Sequence, residues 1–377
     1  MIRRVDVIGS VGVVCARVAQ PLKDVFFQRA FFERLASEIE RVHRPFDRQR
    51  FLAMVFDRAW KGRELKGRMR HASEALGQAL PSDFREALAI LLQVEGRFDG
   101  FDHLLFADFV ERFGLDDYEA SIAALEVLTR TTAEFAIRPF IRRYPTRTLD
   151  QMRAWCRHPS ERVRRLASEG SRPRLPWGMA LPALIEDPAP ILPILDSLKD
   201  DPSDAVRRSA ANSLGDVAKD HPELALELAE RWMTEAPTRA PWLKHALRAL
   251  LKRGDPRALS LFGFGGSAGV DVVRLAVTPR RVSLGGRATL HVELRSTRRE
   301  PQRIRLEYEI EYARPTGRSS PKVFQIAETD LGPRAELRLE RRLSFADRST
   351  RCHHAGRHIA RLVINGRRLG SARFELA

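Results

Sequence analysis

Cysteine is scarce in this 377-residue chain: Cys15, Cys156 and Cys352 are far apart and odd in number. That pattern excludes a disulfide framework and fits a protein kept reduced in the cytoplasm. Long apolar runs are missing too, since no stretch reaches the ~18 apolar residues that a membrane helix needs. Several enzyme signatures are absent: no glycine-rich phosphate loop, no His-Glu-x-x-His, no Gly-x-Ser-x-Gly. P-loop nucleotide hydrolysis, zinc proteolysis and serine hydrolysis of those types are therefore set aside. Chemistry on this chain has to run on carboxylates, arginines and aromatics.

What the chain has in excess is positive charge, +16 overall. The charge is clustered. Residues 138–174 hold 11 arginines against three acids, and residues 270–377 hold 22 arginines and one lysine against 12 acids. An arginine-rich composition alone does not explain clustering. Two basic regions on a mildly acidic remainder point to a polyanionic partner, nucleic acid before a membrane surface.

Residues 1–20 carry two early arginines and an apolar run interrupted by Asp6 and Arg17. They resemble a signal peptide only loosely and are left as an unassigned leader. From 21 to 262 apolar residues recur at helical spacing, with short loops between, which predicts an all-α region. Pro159-Ser160-Glu161-Arg162-Val163-Arg164-Arg165-Leu166-Ala167 matches Pro202-Ser203-Asp204-Ala205-Val206-Arg207-Arg208-Ser209-Ala210 at an offset of 43 residues. That lies within the ~40–47-residue period of HEAT-type helical repeats, which stack into a solenoid. The repeated arginine pairs are expected to form a basic stripe. Gly263–Gly269 reads as a flexible linker. Beyond it, 270–377 alternates with period two in seven runs, predicting an immunoglobulin-like β-sandwich. The two-cysteine pin of antibody domains is absent.

The stretch 152–178 organises the chain. Ser160 is expected to cap a basic helix and Gly170 to stop it. Ser171-Arg-Pro-Arg-Leu-Pro-Trp-Gly178 follows as a stiff, aromatic-tipped loop, because Pro173 and Pro176 remove backbone donors. Glu169 reads equally as a carboxylate with a function or as a partner for a neighbouring arginine. Trp177 reads equally as a contact residue or as an apolar lid. Near the sixth strand, Cys352, His353, His354 and His358 place four N/S donors within seven residues. So compact a set closes poorly around a tetrahedral ion, so no metal is assigned. His353, His354, Arg357 and His358 are expected instead to meet DNA phosphates or a minor groove.

One nucleic-acid reaction suits this inventory. An N3- or N7-alkylated purine already carries positive charge, so its glycosidic bond is weak and the departing base needs no proton. A carboxylate stabilises the oxocarbenium-like sugar and guides water to it, an aromatic face supports the cation, and arginines hold phosphates.

The sequence resembles the bacterial DNA alkylation-repair glycosylases of the HEAT-like repeat class, most closely the AlkC type with an appended immunoglobulin-like domain. The resemblance spans roughly 21–377. It is carried by Glu64-Leu-Lys66, Phe109-Val-Glu-Arg-Phe-Gly-Leu-Asp116, Ala133-Glu-Phe-Ala-Ile-Arg-Pro-Phe140, Gly356-Arg-His358 and Asn365-Gly366. Above all it rests on Arg164-Arg-Leu-Ala-Ser-Glu-Gly-Ser-Arg-Pro-Arg-Leu-Pro-Trp-Gly178. It implies a monofunctional, cofactor-free, monomeric glycosylase acting on duplex DNA, with 3-methyladenine first and 3-methylcytosine second among its bases. It implies Glu169 as the catalytic carboxylate, Glu134 as the second acid, Trp177 beside the sugar, and Arg165 holding the carboxylate or a phosphate. Arg162, Arg164, Arg172, Arg174, Arg207 and Arg208 are the expected backbone contacts. Pairing of Glu134 with Arg138, one helical turn on, is the structural alternative for that acid. The competing readings are a non-catalytic HEAT-repeat DNA binder and a scaffold for acidic protein partners.

Overall fold

The computed structural model describes residues 3–4, 21–314, 320–347 and 352–377. Apart from Arg3–Arg4, the leader lies outside them. The described residues form two compact units: 21–221, and 222–377 with Arg3–Arg4. Among the described residues no helix is long and apolar enough to cross a membrane.

The first unit is helical: α1 (Arg29–Val42), α2 (Arg48–Val55), α3 (Leu65–Ala79), α4 (Phe84–Glu95), α5 (Leu104–Phe113), α6 (Tyr118–Leu128), α7 (Arg138–Arg143), α8 (Pro145–Trp155), α9 (Glu161–Gly170), α10 (Pro182–Glu186), α11 (Leu192–Leu198) and α12 (Asp204–Asp220). The apolar spacing explains the packing: α1 buries Phe32, Leu35, Ala36 and Ile39, one stripe at helical period. Asp47, Asp83 and Asp117 cap α2, α4 and α6 by accepting from backbone N–H groups of Arg50, Glu86 and Ala120.

The repeated segments become α9 and α12, which pack together, with Ser168 Oγ 2.6 Å from Ser209 Oγ across the buried seam. Two local expectations change. The Ser160 hydroxyl makes no cap bond; its backbone N–H donates instead to His158 Nδ1 at 3.0 Å. Gly170 belongs to the helix and serves by its small size, since an added Cβ would lie 2.6 Å from Ile137 Cγ2. Cys156, at the end of α8, is buried, and burial pushes its thiol up to about 12.

The second unit begins with α13 (Pro222–Glu235), α14 (Ala240–Ala246), α15 (Arg248–Arg253) and α16 (Pro256–Leu261). Its strands are β1 (Arg3–Arg4), β2 (Val270–Thr278), β3 (Arg281–Val282), β4 (Arg287–Ser296), β5 (Gln302–Tyr312), β6 (Ser320–Leu331), β7 (Glu336–Ser344), β8 (Gly356–Ile364) and β9 (Arg367–Leu376). They form two sheets, β1-β7-β4-β2 and β3-β9-β8-β5-β6, with a shared apolar core that includes Leu290, Val292, Ile304, Leu306, Leu362 and Ile364. Asn365-Gly366 is the expected two-residue turn, both residues at positive φ as the tight β8–β9 hairpin requires.

The expected boundary at 263–269 is not where the contacts divide. Residues 222–262 pack with the sandwich. Lys244 Nζ reaches Glu328 at 2.6 Å, and the Gly254 and Gly366 backbones touch so closely that a Cβ on Gly366 would sit 2.7 Å from Gly254 Cα. Within the glycine-rich connection Phe264 is fully buried, with the Arg303 guanidinium 5.2 Å from its ring. Within this stretch Gly263 and Gly266 sit at positive φ, and an added Cβ on Gly269 would lie 2.6 Å from Arg298 Cγ.

Asp108 on α5 is 2% exposed, accepts from Ser73 Oγ at 2.6 Å and faces Arg70 at 3.1 Å. Burial outweighs these partners and raises its pKa from 3.8 to about 6. A carboxyl raised above its unfolded value supports the fold while neutral, so this stabilisation is present at low pH and is lost as pH rises through about 6. Asp108→Asn should abolish that loss. In urea unfolding, the stability of the variant relative to wild type should rise by about 2 kcal/mol between about pH 4 and about pH 7.

Candidate active site

The sequence places an arginine at the same position of α9 and α12, and the structure gives both the same task. Arg164 donates to the His158 and Pro159 carbonyls, 2.9 Å each, and forks onto Asp201 at 2.6 and 3.0 Å. Arg207 donates to the Asp201 carbonyl and pairs with Asp204. Both tie a helix start to its preceding loop, which corrects the expectation that they line a free basic stripe. Arg162 and Arg208 are exposed and, among the described residues, have no carboxylate partner.

At the other end of α9 the side chains converge. Glu169 is 7% exposed; its Oε1 accepts from Arg172 Nη1 at 2.6 Å, and its Oε2 lies 4.0 Å from Arg165 Nη2. Arg165 bridges onward to Oε1 of Glu134. Glu134, in the turn before α7, is buried, and among the described residues its Oε2 has no hydrogen-bond partner. Its partner is therefore Arg165, not Arg138. Arg172 is itself held by Asp216 of α12, Nε to Oδ2 at 2.9 Å, and Lys219 Nζ sits 2.8 Å from the other Asp216 oxygen. Burial works against the Arg172 charge, but Asp216 and Glu169 outweigh it and raise its pKa. Arg172, expected to contact phosphate, is instead a buried brace between two carboxylates.

Among the described residues Arg138 makes no ion pair. Its Nη1 donates to the carbonyls of Gly170 and Arg172 at 2.8 Å each, its Nε to that of Met179 at 2.6 Å, and its Nη2 to that of Pro173 at 3.4 Å. It is fully buried, and burial, with Arg172 nearby, lowers its pKa to about 10. The loop it holds presents Trp177, 57% exposed and at φ 66°. A bulky residue at positive φ is strained. Lys66 Nζ accordingly fixes the Trp177 carbonyl at 2.7 Å and lies 5.5 Å from the Phe135 ring centroid. Gly178 leaves room for the clamp, since a Cβ there would sit 3.3 Å from Arg138. Arg174 is exposed but forks onto Asp220 at 2.9 and 3.0 Å, pulling that carboxyl below its usual range.

The sandwich histidines divide. His358 is fully buried; its ring stacks on Phe374 at 5.4 Å, and burial lowers its pKa. His353 is buried against Tyr312 and Phe345. Both belong to an aromatic core cluster, which corrects their expected role at a DNA surface. His354 is half-buried and Arg357 is exposed. Arg357 lines a cleft of about 550 Å³ with Arg280, Arg373, Phe374 and Glu375.

Glu134, Glu169, Arg165 and Arg172 are therefore brought into one cluster, and Trp177 stands on the loop that leaves it. Two oxygen-rich acids, bridged by arginines and followed by an exposed indole, can stabilise a nearby cation and orient water. Asp216, Lys66 and the carbonyl clamp of Arg138 were not foreseen. A signal for Asp216 existed: in the 43-residue repeat Glu169 aligns with Asn212, and Asp216 lies one turn further on the same face.

Residues 271–377 match the family model described as the C-terminal Ig-like domain of the uncharacterised protein YhaZ, and residues 191–221 match the HEAT repeat model. The chain is 39% identical over 356 residues to the uncharacterized protein YhaZ of Bacillus subtilis, spanning 94% of this chain and 99% of that one. It is also similar to the solved alkylpurine DNA glycosylase AlkC of Pseudomonas fluorescens bound to DNA containing an abasic-site analogue. That likeness is 41% in sequence, covers 95% of this chain and 99% of that one, and has a TM-score of 0.91.

Removing the Arg138 head takes the side-chain donor from the Gly170, Arg172 and Met179 carbonyls, while the Pro173 carbonyl keeps the Leu181 N–H at 3.1 Å. Arg138→Met should cost about 3 kcal/mol or more in urea unfolding. The same variant should open the 171–179 loop to trypsin, read by limited proteolysis.

Proposed function

Because the chain belongs to the AlkC family of alkylpurine DNA glycosylases, we propose that it hydrolyses the N-glycosidic bond of cationic alkylated bases in duplex DNA. The proposed bases are 3-methyladenine first and 3-methylcytosine second. The observation that carries this reading is the buried pair Glu134 and Glu169, bridged by Arg165 and followed by the Trp177 loop. DNA as the partner is supported by the AlkC relative, whose structure holds DNA with an abasic-site analogue.

In the proposed mechanism the charged base leaves without protonation, so no general acid is needed. Glu169 is the carboxylate that meets the oxocarbenium-like sugar. Arg172 holds its Oε1, which leaves Oε2, 4.0 Å from Arg165, as the oxygen for the sugar or the incoming water. Glu134, with one oxygen unpartnered, is the second acceptor for that water. The Trp177 ring supports the developing cation. Arg162 and Arg208 on the helical unit, and Arg280, Arg357 and Arg373 on the sandwich, are the proposed phosphate contacts. No cofactor enters this scheme.

Release of free 3-methyladenine from dimethyl-sulfate-treated duplex tests the reading. Wild type should release base, and Glu169→Gln should lose about 10² or more in rate while still binding duplex. Equal release from both proteins would move the catalytic role to Glu134. No release from either would leave a non-catalytic HEAT-repeat DNA binder. For the sandwich, the triple change Arg280→Gln, Arg357→Gln, Arg373→Gln should reduce the slope of log affinity against log salt by about 2–3. An unchanged slope would remove that cleft from the interface.

A further inference from the structure

A second cavity, of about 460 Å³, opens in the unit 222–377 among α14, α15, β5, β6 and β7. Its lining includes Lys244, Arg248, Lys252, Arg305, Arg341 and Phe324. Two of these cations are neutralised inside the fold. Lys244 and Arg305 share Glu328 at 2.6 and 2.5 Å, and Arg305 also reaches the buried Glu307 at 2.7 Å. The other three are not. Arg248 donates to the His245 carbonyl at 2.7 Å, and Arg248, Lys252 and Arg341 are exposed with no carboxylate partner among the described residues.

Three uncompensated cations around one cavity repel one another unless an anion sits between them. They come from separate elements, α15 and β7, so no single run of sequence explains their meeting. Arg305 adds rigidity: it is 2% exposed and locked by two carboxylates, so the floor of the cavity is fixed before anything enters. Phe324, half-buried and stacked on Tyr308 at 5.0 Å, supplies an apolar wall. The volume falls in the range of small-ligand pockets, ~300–1,000 Å³.

Guanidinium and ammonium groups with this convergence match the oxygens of a phosphate. We propose that this cavity is a phosphate-binding site, separate from the carboxylate cluster and from the Arg280–Arg357–Arg373 cleft. The phosphate comes either from a DNA backbone or from a free phosphorylated molecule; the recognition chemistry is the same. The proposal stands independently of the glycosylase reading, because none of its residues belongs to that machinery.

The test uses the full chain and inorganic pyrophosphate as the probe, by titration calorimetry, beside duplex binding in rising salt. The variant carries Arg248→Gln, Lys252→Gln and Arg341→Gln, all at exposed positions. A control with Arg248→Lys, Lys252→Arg and Arg341→Lys keeps the charge and should keep binding. Loss of about tenfold or more in pyrophosphate affinity, restored in the control, is the expected result. A fall of about 2–3 in the duplex salt slope would also support the site and name DNA as the source of the phosphate. An unchanged slope with lost pyrophosphate binding would name a free ligand. If variant and wild type agree in both pyrophosphate affinity and duplex slope, the site does not exist. Base release by the same variant keeps the glycosylase reading a separate question.

Discussion

The candidate site depends on one buried cation that is met by carbonyl groups. Arg138 satisfies its guanidinium through main-chain carbonyls, at Gly170, Arg172, Pro173 and Met179. A charge in so dry a place is tolerable only if its donors are met, and the planar fork meets them along one continuous segment. The end of α9, the proline-rich turn and the residue after Gly178 are thereby fixed to the start of α7. Burial lowers the pKa to about 10, so the group stays charged at neutral pH and the clamp persists.

That anchorage lets the carboxylates sit where solvent would not hold them. Glu169, Glu134 and Asp216 are all buried, and each has an arginine beside it. Arg165 and Arg172 turn three separate acids into a connected array spanning the turn before α7, α9 and α12. Such an array is preorganised: its dipoles need not rotate when a cation forms nearby. Its weak point is the unpartnered Glu134 oxygen, the kind of buried vacancy that persists at functional sites.

Much of this architecture was legible in the chain. The helical repeat, the period-two strands and the Asn365-Gly366 turn follow from local pattern, which depends on neighbours a few residues away. Glu169, Glu134, Arg165 and Trp177 stood out through motif and charge. What was not legible was direction. Nothing in the sequence tells that Arg164 and Arg207 turn back to loop carbonyls while Arg162 and Arg208 stay free, because the choice depends on Asp201 and Asp204 in three dimensions. His353 and His358 looked like polar loop residues, yet His353, in the loop before β8, and His358, on β8, pack among Tyr312, Phe345 and Phe374. Gly263–Gly269 looked slack because flexibility, positive φ and close packing all ask for the same residue. Arg138 was invisible as a hub because carbonyls leave no trace in side-chain patterns.

The bridging of the acids has a consequence beyond local geometry. A polyanion whose distance exceeds the spacing of these groups responds to their summed charge, screened over a Debye length of ~10 Å. Three carboxylates exposed in a row would push such a partner away. Interleaved with Arg138, Arg165, Arg172 and Lys219, they sum to a slight positive excess. The long-range field of the protein therefore hides its acids, and they become electrostatically visible only to a group small enough and close enough to meet one of them alone.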